Sequence, residues 1–415
     1  MQQSINNDRF IPVRKSDLIN ACIAHKDMQD NDKQGFQTLC EMIVSTLHFD
    51  YHKTLEILKD SYAPFDPNTD TLTVSSISPK QLQEKQQTFA TSFAEVLNAA
   101  NFEKVTDQDL QEALGEESLF KVRLAVEFDD FAEVIFYRRG EYQKTETLSS
   151  LFGLRKRSLT FTNYDKVAVY IKFKEHSYFV ENKRNTQNFE PGSTIIKLFQ
   201  NVPKADLEML FPNSEVRMRN LDKAIIGGSA LVGGAVVMVT KLGATLILLA
   251  GLFSYWLGLS DKVVTIGTQE LLALGVGAGV LGGFIFKEWS KFKNRRLKFM
   301  KALADNLYFK NLDNNAGVFH HLIDSAEEEE CKEAILGYYF LLKSEAPLSS
   351  EQLDMQIEQW FSTEFNYRID FEVEDALTKL TRFGIVTFAD GLYSAKSLPE
   401  ARATLDATWD AIFTG

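Results

Sequence analysis

NLYFKNLDNNAGVFHHLIDSAEEEECKEAILGYYFLL, residues 306–342, combines an apolar helical stripe with an unusual density of charge. At about 100° per residue, one helix face collects apolar side chains along the segment: Phe319, Leu322, Ile323, Ala326, Ala334 and Leu341. Glu330 falls within this stripe, so its carboxylate requires a basic partner or hydrogen bonds. The pattern predicts a helix that packs against other parts of the fold.

Four potential metal ligands lie along the border of the stripe. They are spaced i, i+4, i+7 and i+11: His320, Asp324, Glu327 and Cys331. One helix alone cannot complete a metal shell, and neither HExxH nor the paired Glu-x-x-His motifs of a di-metal bundle occur. We interpret the segment as a structural or contact helix, with a metal or acid–base role as the alternative. No cofactor is expected.

Length and charge limit the class of protein. A chain of 415 residues suffices for two or three domains. The net charge of −12 argues against nucleic acid as a partner, because phosphate binding needs concentrated lysine and arginine. Cys22, Cys40 and Cys331 are far apart and form no CxxC pattern, which is typical of reduced thiols. The opening MQQSINNDRF resembles neither a signal peptide nor a transit sequence.

Two long apolar runs occupy the middle of the chain. Residues 224–259 contain a single charge, Lys241, and residues 271–286 contain none. Runs of this length are typical of membrane segments. One helix over 224–259 would be about 54 Å long, well beyond a hydrocarbon core of about 30 Å. Lys241 either snorkels to an interface or lines a polar path.

The flanking charges predict the topology. Basic residues lie on both outer flanks, over 204–223 and 287–301, which favours both termini in the cytoplasm. We therefore expect a multi-pass inner-membrane protein with a transmembrane hairpin at about 240–259 and 271–288. Residues 224–239 would form a glycine-rich extension. Three crossings are the alternative.

Gly275, Gly279 and Gly283 recur at i, i+4 and i+8 in the second run. Such a face lacks side chains and lets another helix approach closely. The partner helix is either the first segment of the same chain or another copy of the protein.

The N-terminal part reads as helical and then β-rich. Residues 119–140, 156–175 and 194–202 are rich in β-branched and aromatic residues, which predicts a mostly antiparallel sheet. Two basic groups could contact anionic lipid, or form a solvated rim: Arg155, Lys156 and Arg157, and Lys291, Lys293, Arg295 and Arg296.

The C-terminal part has the element order of a winged helix. Ser349 opens a capping box for a helix to about Phe361, Asp370 can cap a second helix over 371–383, and Asp390 with Gly391 suits a hairpin turn. The second helix is acidic, so phosphates would repel it. We predict a protein-contact or structural winged helix that does not bind DNA.

Several blocks carry a family resemblance. The opening stretch, FGLRKRSLTFTNYDKVAVYIKFKE (152–175) and PKADLEMLFPNSEVRMRNLDK (203–223) resemble the domain-of-unknown-function 3754 family, which includes proteins like mammalian transmembrane protein 143. The resemblance implies a membrane protein with two membrane segments and no established reaction. The animal members are mitochondrial. Because no presequence is visible, a bacterial inner membrane is the implied location.

These observations predict an α+β membrane protein in three parts. They are a cytoplasmic α+β domain (1–220), a transmembrane region (221–290) and a cytoplasmic helical and winged-helix-like domain (291–415). No catalytic motif occurs, so we expect a membrane-anchored interaction or scaffold protein that self-associates and binds protein or anionic lipid. An oligomeric transport or channel-like assembly is the alternative, and a membrane-bound metal-dependent hydrolase is a more distant one.

Overall fold

A computed structural model describes residues 9–24, 28, 30–69, 71, 76–106, 108–110, 123–150, 155–184, 186, 189–213, 215–217, 243–259 and 267–412. The chain forms two compact units. Unit 1 comprises Met1–Glu116, Phe128–Pro212 and Lys310–Gly415, and unit 2 comprises Glu117–Glu127 and Asn213–Phe309. The three domain boundaries expected from the sequence stay a prediction.

The described helices and strands have the following bounds. The helices are α1 (Lys15–Ala24), α2 (Asp30–Tyr62), α3 (Pro79–Ala99), α4 (His176–Glu181), α5 (Gly243–Trp256), α6 (Thr268–Lys310), α7 (Ala316–Lys343), α8 (Ser350–Phe365), α9 (Val373–Arg382) and α10 (Leu398–Ala411). The strands are β1 (Glu103–Lys104), β2 (Arg123–Ala125), β3 (Phe131–Ser150), β4 (Arg155–Phe173), β5 (Thr194–Pro203), β6 (Glu215–Arg217), β7 (Asn311–Asn314), β8 (Val386–Ala389) and β9 (Leu392–Ala395).

Unit 1 contains a five-stranded antiparallel sheet in the order β1-β3-β4-β5-β7. Its long strands are those whose β-branched and aromatic residues predicted them, because such side chains pack well on a pleated surface. Val167, Val169 and Ile171 in β4 are all buried. The mixed α+β architecture with an antiparallel sheet is therefore confirmed.

Helix α7 is the central helix of unit 1. Its first half packs with α2, α3 and the sheet, where Phe319 and Leu322 are fully buried. Its second half packs with α1, α2, α8, α9 and α10, where Leu336 and Tyr338 are fully buried. One helix thus takes part in both hydrophobic clusters, as the apolar stripe of the opening stretch required.

The C-terminal elements follow winged-helix order. Ser349 and Gln352 form the expected capping box at the start of α8. Asp390 and Gly391, both with positive φ, turn the β8–β9 hairpin. Leu348 forms an isolated antiparallel bridge with Tyr393 of β9, through two backbone hydrogen bonds.

Asp370 is not the cap of α9, contrary to expectation. The N-cap of α9 is Glu372, and its side chain makes no capping hydrogen bond.

The predicted transmembrane hairpin is wrong, and with it the multi-pass inner-membrane localisation. Within the described ranges, no helix is both long and apolar enough to cross a membrane. The first span, 240–259, coincides with α5, which has 14 residues and measures about 21 Å, short of a core of about 30 Å.

The second predicted span, 271–288, lies within α6. Its apolar run ends at Phe286, after about 24 Å, and the same helix continues directly into Lys287 and Glu288. The glycine-rich extension at 224–239 and Lys241 lie outside the described residues.

Candidate functional site

The four predicted metal ligands do not converge. His320 and Asp324 are exposed, whereas Cys331 is fully buried. Glu327 pairs with His48 of α2, with 2.8 Å between Oε2 and Nδ1. Across the described chain, no three His, Cys, Asp or Glu side chains are grouped so that they could share a metal ion. That the protein holds no metal stays a prediction.

The sequence did not predict that α2 contributes residues beside Glu327, at the border of the apolar stripe of α7. His48 and His52 are spaced i, i+4 and line one surface groove with Glu327 and Trp409. The spacing is visible in the sequence. The packing of α2 on α7 that brings His48 to Glu327 is not, because the two residues are 279 positions apart.

The three cysteines are structural rather than reactive. Cys22, Cys40 and Cys331 are free and buried within one hydrophobic cluster. Burial raises the pKa of the Cys22 and Cys331 thiols to about 12 and also raises the pKa of Cys40, because a thiolate is poorly solvated there.

Glu329, in the glutamate run of α7, forms hydrogen bonds that hold the N-terminal segment at Ile11 against this helix. The Glu329 carboxylate accepts hydrogen bonds from the Ile11 backbone N–H at 2.9 Å and from Lys332 Nζ at 2.7 Å. Lys332 also donates to the Ile11 carbonyl at 2.8 Å. Asn101 Nδ2 donates to both Glu329 and Glu333. These buried charges are paired and hydrogen-bonded, as buried charges must be.

Glu330 finds the basic partner that its place in the apolar stripe required. Lys379 of α9 lies with its Nζ 2.8 Å from Glu330 Oε1 and 3.0 Å from Glu333 Oε2. Tyr51 adds a hydrogen bond to Glu330. Two buried carboxylates therefore share one ammonium group.

The pKa values of all three groups are shifted from their ordinary values. Burial raises the pKa of Glu333 to about 7 even though Lys379 opposes the shift, and it raises the pKa of Glu330 in the same way. Burial lowers the pKa of Lys379, but the attraction of Glu333 and Glu330 outweighs it and the net shift is upward. A cleft of about 290 Å³ opens beside Glu330 and is lined also by Asp50, Glu95 and Arg382.

A larger polar cavity, of about 670 Å³, lies where β5, β7 and the start of α7 meet the loop after α2. Asn315 holds this junction together. Its backbone N–H donates to the Ile196 carbonyl at 2.7 Å, its Oδ1 accepts from the Ile196 N–H at 3.1 Å, and its Nδ2 donates to Asn68 Oδ1 at 2.8 Å. Asn315 has a φ of 51°, a conformation that asparagine tolerates better than most residues.

Lys197 of β5 and Asp313 of β7 face this cavity from different strands. Lys197 is half-buried, and within the described residues its ammonium group forms no hydrogen bond or ion pair. Asp313 accepts from the Asn314 N–H at 2.8 Å and lies 3.5 Å from His321 Nε2. The Asp313 carboxylate lies directly against Gly317, so a side chain at position 317 would have to displace that carboxylate. No local sequence signal indicated this cavity.

The predicted glycine face of α6 is open. A Cβ at Gly275, Gly279 or Gly283 would meet no described atom within 4 Å. Packing of this face on another segment of the same chain is therefore not observed in the described residues.

The predicted basic contacts are only partly described. Lys291 is exposed and pairs with Glu288 at 2.6 Å, and the Lys293 ammonium lies 5.6 Å from the Trp289 ring centroid. The side chains of the other predicted lipid-contact residues lie outside the described part: Arg155, Lys156, Arg157, Arg295 and Arg296.

The segment from β4 to the first turn of α7 carries a family match. Residues 164–317 match the family described as "Protein of unknown function (DUF3754)". No solved structure matches the chain. The DUF3754 match contains Lys197, Asp313, Asn315 and Gly317 of the polar cavity as well as the glycine face of α6. Its description assigns no activity.

Proposed function

We propose that this protein is a non-enzymatic interaction protein that self-associates through α6 of unit 2. The observation that carries the proposal is the exposure of large apolar side chains along this helix. Val276 is 58% exposed and Phe286 is 67% exposed. Four further large apolar residues between them or just beyond are more than half exposed as well: Leu271, Leu272, Ile285 and Trp289.

The exposed area favours a protein partner. Six such side chains expose on the order of 100 Å² each, so this part of α6 presents roughly 600 Å². Monomers rarely leave contiguous apolar patches larger than a few hundred Å². A stable dimer of standard size buries about 800 Å² per partner, which is close to the area that α6 presents.

A second copy of the chain fits this face by symmetry. In a two-fold dimer the same surface meets itself, so a side-chain-free face on one copy receives the same face of the other. Gly275, Gly279 and Gly283 allow that close approach. An antiparallel pair would also separate the basic stretches at 287–301, which a parallel pair would bring together.

We do not propose the transport and membrane-bound hydrolase alternatives, because both assumed the transmembrane hairpin. Within the family, we propose a relationship to proteins like mammalian transmembrane protein 143, supported by the sequence blocks at 152–175 and 203–223. A comparison along the whole length of both chains would test it.

The experiment is sedimentation velocity of the full chain over a range of concentrations. We expect a dimer for the wild type and monomers for Val276→Glu and Phe286→Glu, because a charge at the centre of an apolar interface is desolvated without a partner. Met355→Glu is the matched control, since Met355 lies on α8 and is 67% exposed. It should leave the dimer intact.

Two outcomes contradict self-association through α6. One is a wild type that stays monomeric at all concentrations. The other is a Met355→Glu variant that dissociates as readily as Val276→Glu. Co-sedimentation of a monomeric wild type with vesicles rich in phosphatidylglycerol, lost in Phe286→Glu, would identify a lipid surface as the partner instead.

A further inference from the structure

The polar cavity at the start of α7 has the size and the walls of a ligand site. Its volume of about 670 Å³ falls within the range of about 300–1,000 Å³ typical of small-molecule pockets. Its walls come from three segments far apart in the chain, all in unit 1: residues 59–69 with Thr71, residues 195–197 of β5 and residues 313–317. Such convergence is typical of binding sites.

Of the two lysines in these walls, Lys197 is the one whose ammonium group has no partner within the described residues. Lys59 also lines the cavity, but its ammonium group is held by Glu56 at 3.0 Å. Lys197 is half-buried and forms no hydrogen bond or ion pair there. Burial lowers the pKa of Lys197, because its charged form has lost water without gaining a partner. An anionic group in the cavity would supply that partner.

The other polar groups of the cavity suit hydroxyls rather than further negative charge. Asp66 and Asp313 bring two carboxylates, and Asn68 and Asn315 bring amides. A ligand with anionic groups at several positions would bring some of them close to the two carboxylates and be repelled, whereas one anionic group can lie at Lys197. A hydroxyl can donate to a carboxylate and accept from an amide N–H, so both kinds of group suit a polyhydroxylated ligand.

Hydrogen bonds hold much of this wall in place. Asp66 Oδ1 accepts from the Asn68 N–H at 2.9 Å, Asn68 Oδ1 accepts from Asn315, and Asp313 is held by the Asn314 N–H and His321. Groups fixed in this way lose little freedom when a ligand binds, which favours affinity and selectivity.

We propose that this cavity binds a small polyhydroxylated anion, a sugar phosphate or a sugar acid, with its anionic group on Lys197 and its hydroxyls on Asp66, Asp313 and the neighbouring amides. The proposal is independent of self-association through α6. It concerns binding, and no reaction of the bound molecule follows from it.

The test is isothermal titration of the full chain with four probes: glucose 6-phosphate, gluconate, glucose and inorganic phosphate. We expect glucose 6-phosphate or gluconate to bind at least tenfold more tightly than glucose and inorganic phosphate, because only the first two offer both an anion and hydroxyls.

Three variants assign the contacts. Lys197→Met should weaken binding of the anionic sugar about ten- to hundredfold, the range expected for a lost hydrogen bond to a charged group. Lys197→Arg should keep part of the affinity because it keeps the charge. Lys33→Met is the matched control and should change the affinity less than threefold, since Lys33 lies near the other end of α2, outside the cavity, and pairs with Asp30. Thermal melts of each variant without ligand establish that it is folded.

The proposal is overturned if none of the four probes binds at millimolar concentration. Unchanged affinity in a folded Lys197→Met variant would also overturn it. Equal affinity for inorganic phosphate and glucose 6-phosphate would refute the role of the hydroxyl contacts and leave a simple anion site.

Discussion

Lys379 of α9 donates a 3.0 Å hydrogen bond to Glu333 of α7, where the two helices pack against each other. Because Lys379 also holds Glu330, the contact neutralises charge in the interior of unit 1. A basic residue of α9 is thereby used inside the fold.

Replacing Lys379 with Met should be strongly destabilising. Glu330 and Glu333 would stay buried without a cation, which costs about 3–5 kcal/mol of unfolding free energy. Arg382→Met, on the same helix, removes only a more exposed pair with Asp50 and should cost less than about 1 kcal/mol. Urea denaturation monitored by circular dichroism measures both. Equal losses in the two variants would contradict the shared role of Lys379.

The Glu333 carboxyl group should make stability pH-dependent. Its pKa is about 7 when folded and about 4.5 when unfolded, so the folded state holds the proton more tightly. The contribution of this group to the unfolding free energy should therefore decrease as the pH rises from about 4.5 to about 7, and stay level above that. Glu333→Gln should flatten this part of the profile, measured by urea denaturation at each pH. A steeper slope in the variant would show that other groups control the window.

Shortening a side chain in the apolar stripe of α7 should lower the unfolding free energy far more than shortening one at the border of the stripe. Leu322 is fully buried, and Leu322→Ala should cost about 2–5 kcal/mol by leaving a cavity. His320→Ala should cost far less, since His320 is exposed two positions away on the same helix. Chemical denaturation of the two variants side by side gives the comparison. A large loss for His320→Ala would indicate a role that its exposure does not explain.

The protein should not bind duplex DNA appreciably at physiological salt. Helix α9 has the place in the element order that a recognition helix would have, yet its first turn contains Glu374 and Asp375, and Lys379 and Arg382 are paired within unit 1. Too few free cations remain to release the counterions of DNA. Fluorescence anisotropy of a labelled duplex with the full chain measures this. Micromolar, salt-sensitive binding would require an additional basic surface.

Purified protein should contain no stoichiometric transition metal. Cys331 is buried with its thiol protonated, and Glu327 is occupied by His48. Elemental analysis for zinc, iron and manganese is the measurement, with EDTA treatment expected to leave the thermal midpoint unchanged. A metal that is present in the wild type and lost in a His320→Ala, Glu327→Ala double variant would establish the metal alternative.

The sequence was most informative where one local pattern decides the structure. The alternation in β3–β5 indicated an antiparallel sheet, and the stripe around Leu322 indicated a buried helix face. Glu330 within that stripe indicated a buried charge in need of a partner, although Lys379 could not be named from sequence. The partner depends on how α9 packs on α7, and no periodicity within either helix encodes that packing.

The sequence-based prediction was wrong where a run of apolar residues was taken as a helix long enough to span a membrane. The apolar runs predicted membrane spans, but α5 ends after 14 residues, and in α6 the apolar run passes directly into the charged residues that begin at Lys287. The polar cavity could not be predicted from the sequence for a different reason. Asn68, Lys197 and Asp313 are individually unremarkable and become neighbours only when the sheet meets α7.

The placement of α7 has a consequence for how the chain folds during synthesis. Phe36 of α2 packs edge-on against Tyr339 of α7, with 5.6 Å between ring centroids, so the core around α2 needs a segment made much later. The second part of unit 1 ends at Pro212, and the third part begins at Lys310. The ribosome must therefore synthesise residues 213–309 before it reaches α7. At about 5–20 residues per second, this takes roughly 5–20 s. Throughout this time the part of α2 that packs on α7 lacks its partner, so the core of unit 1 cannot be completed until α7 has been synthesised.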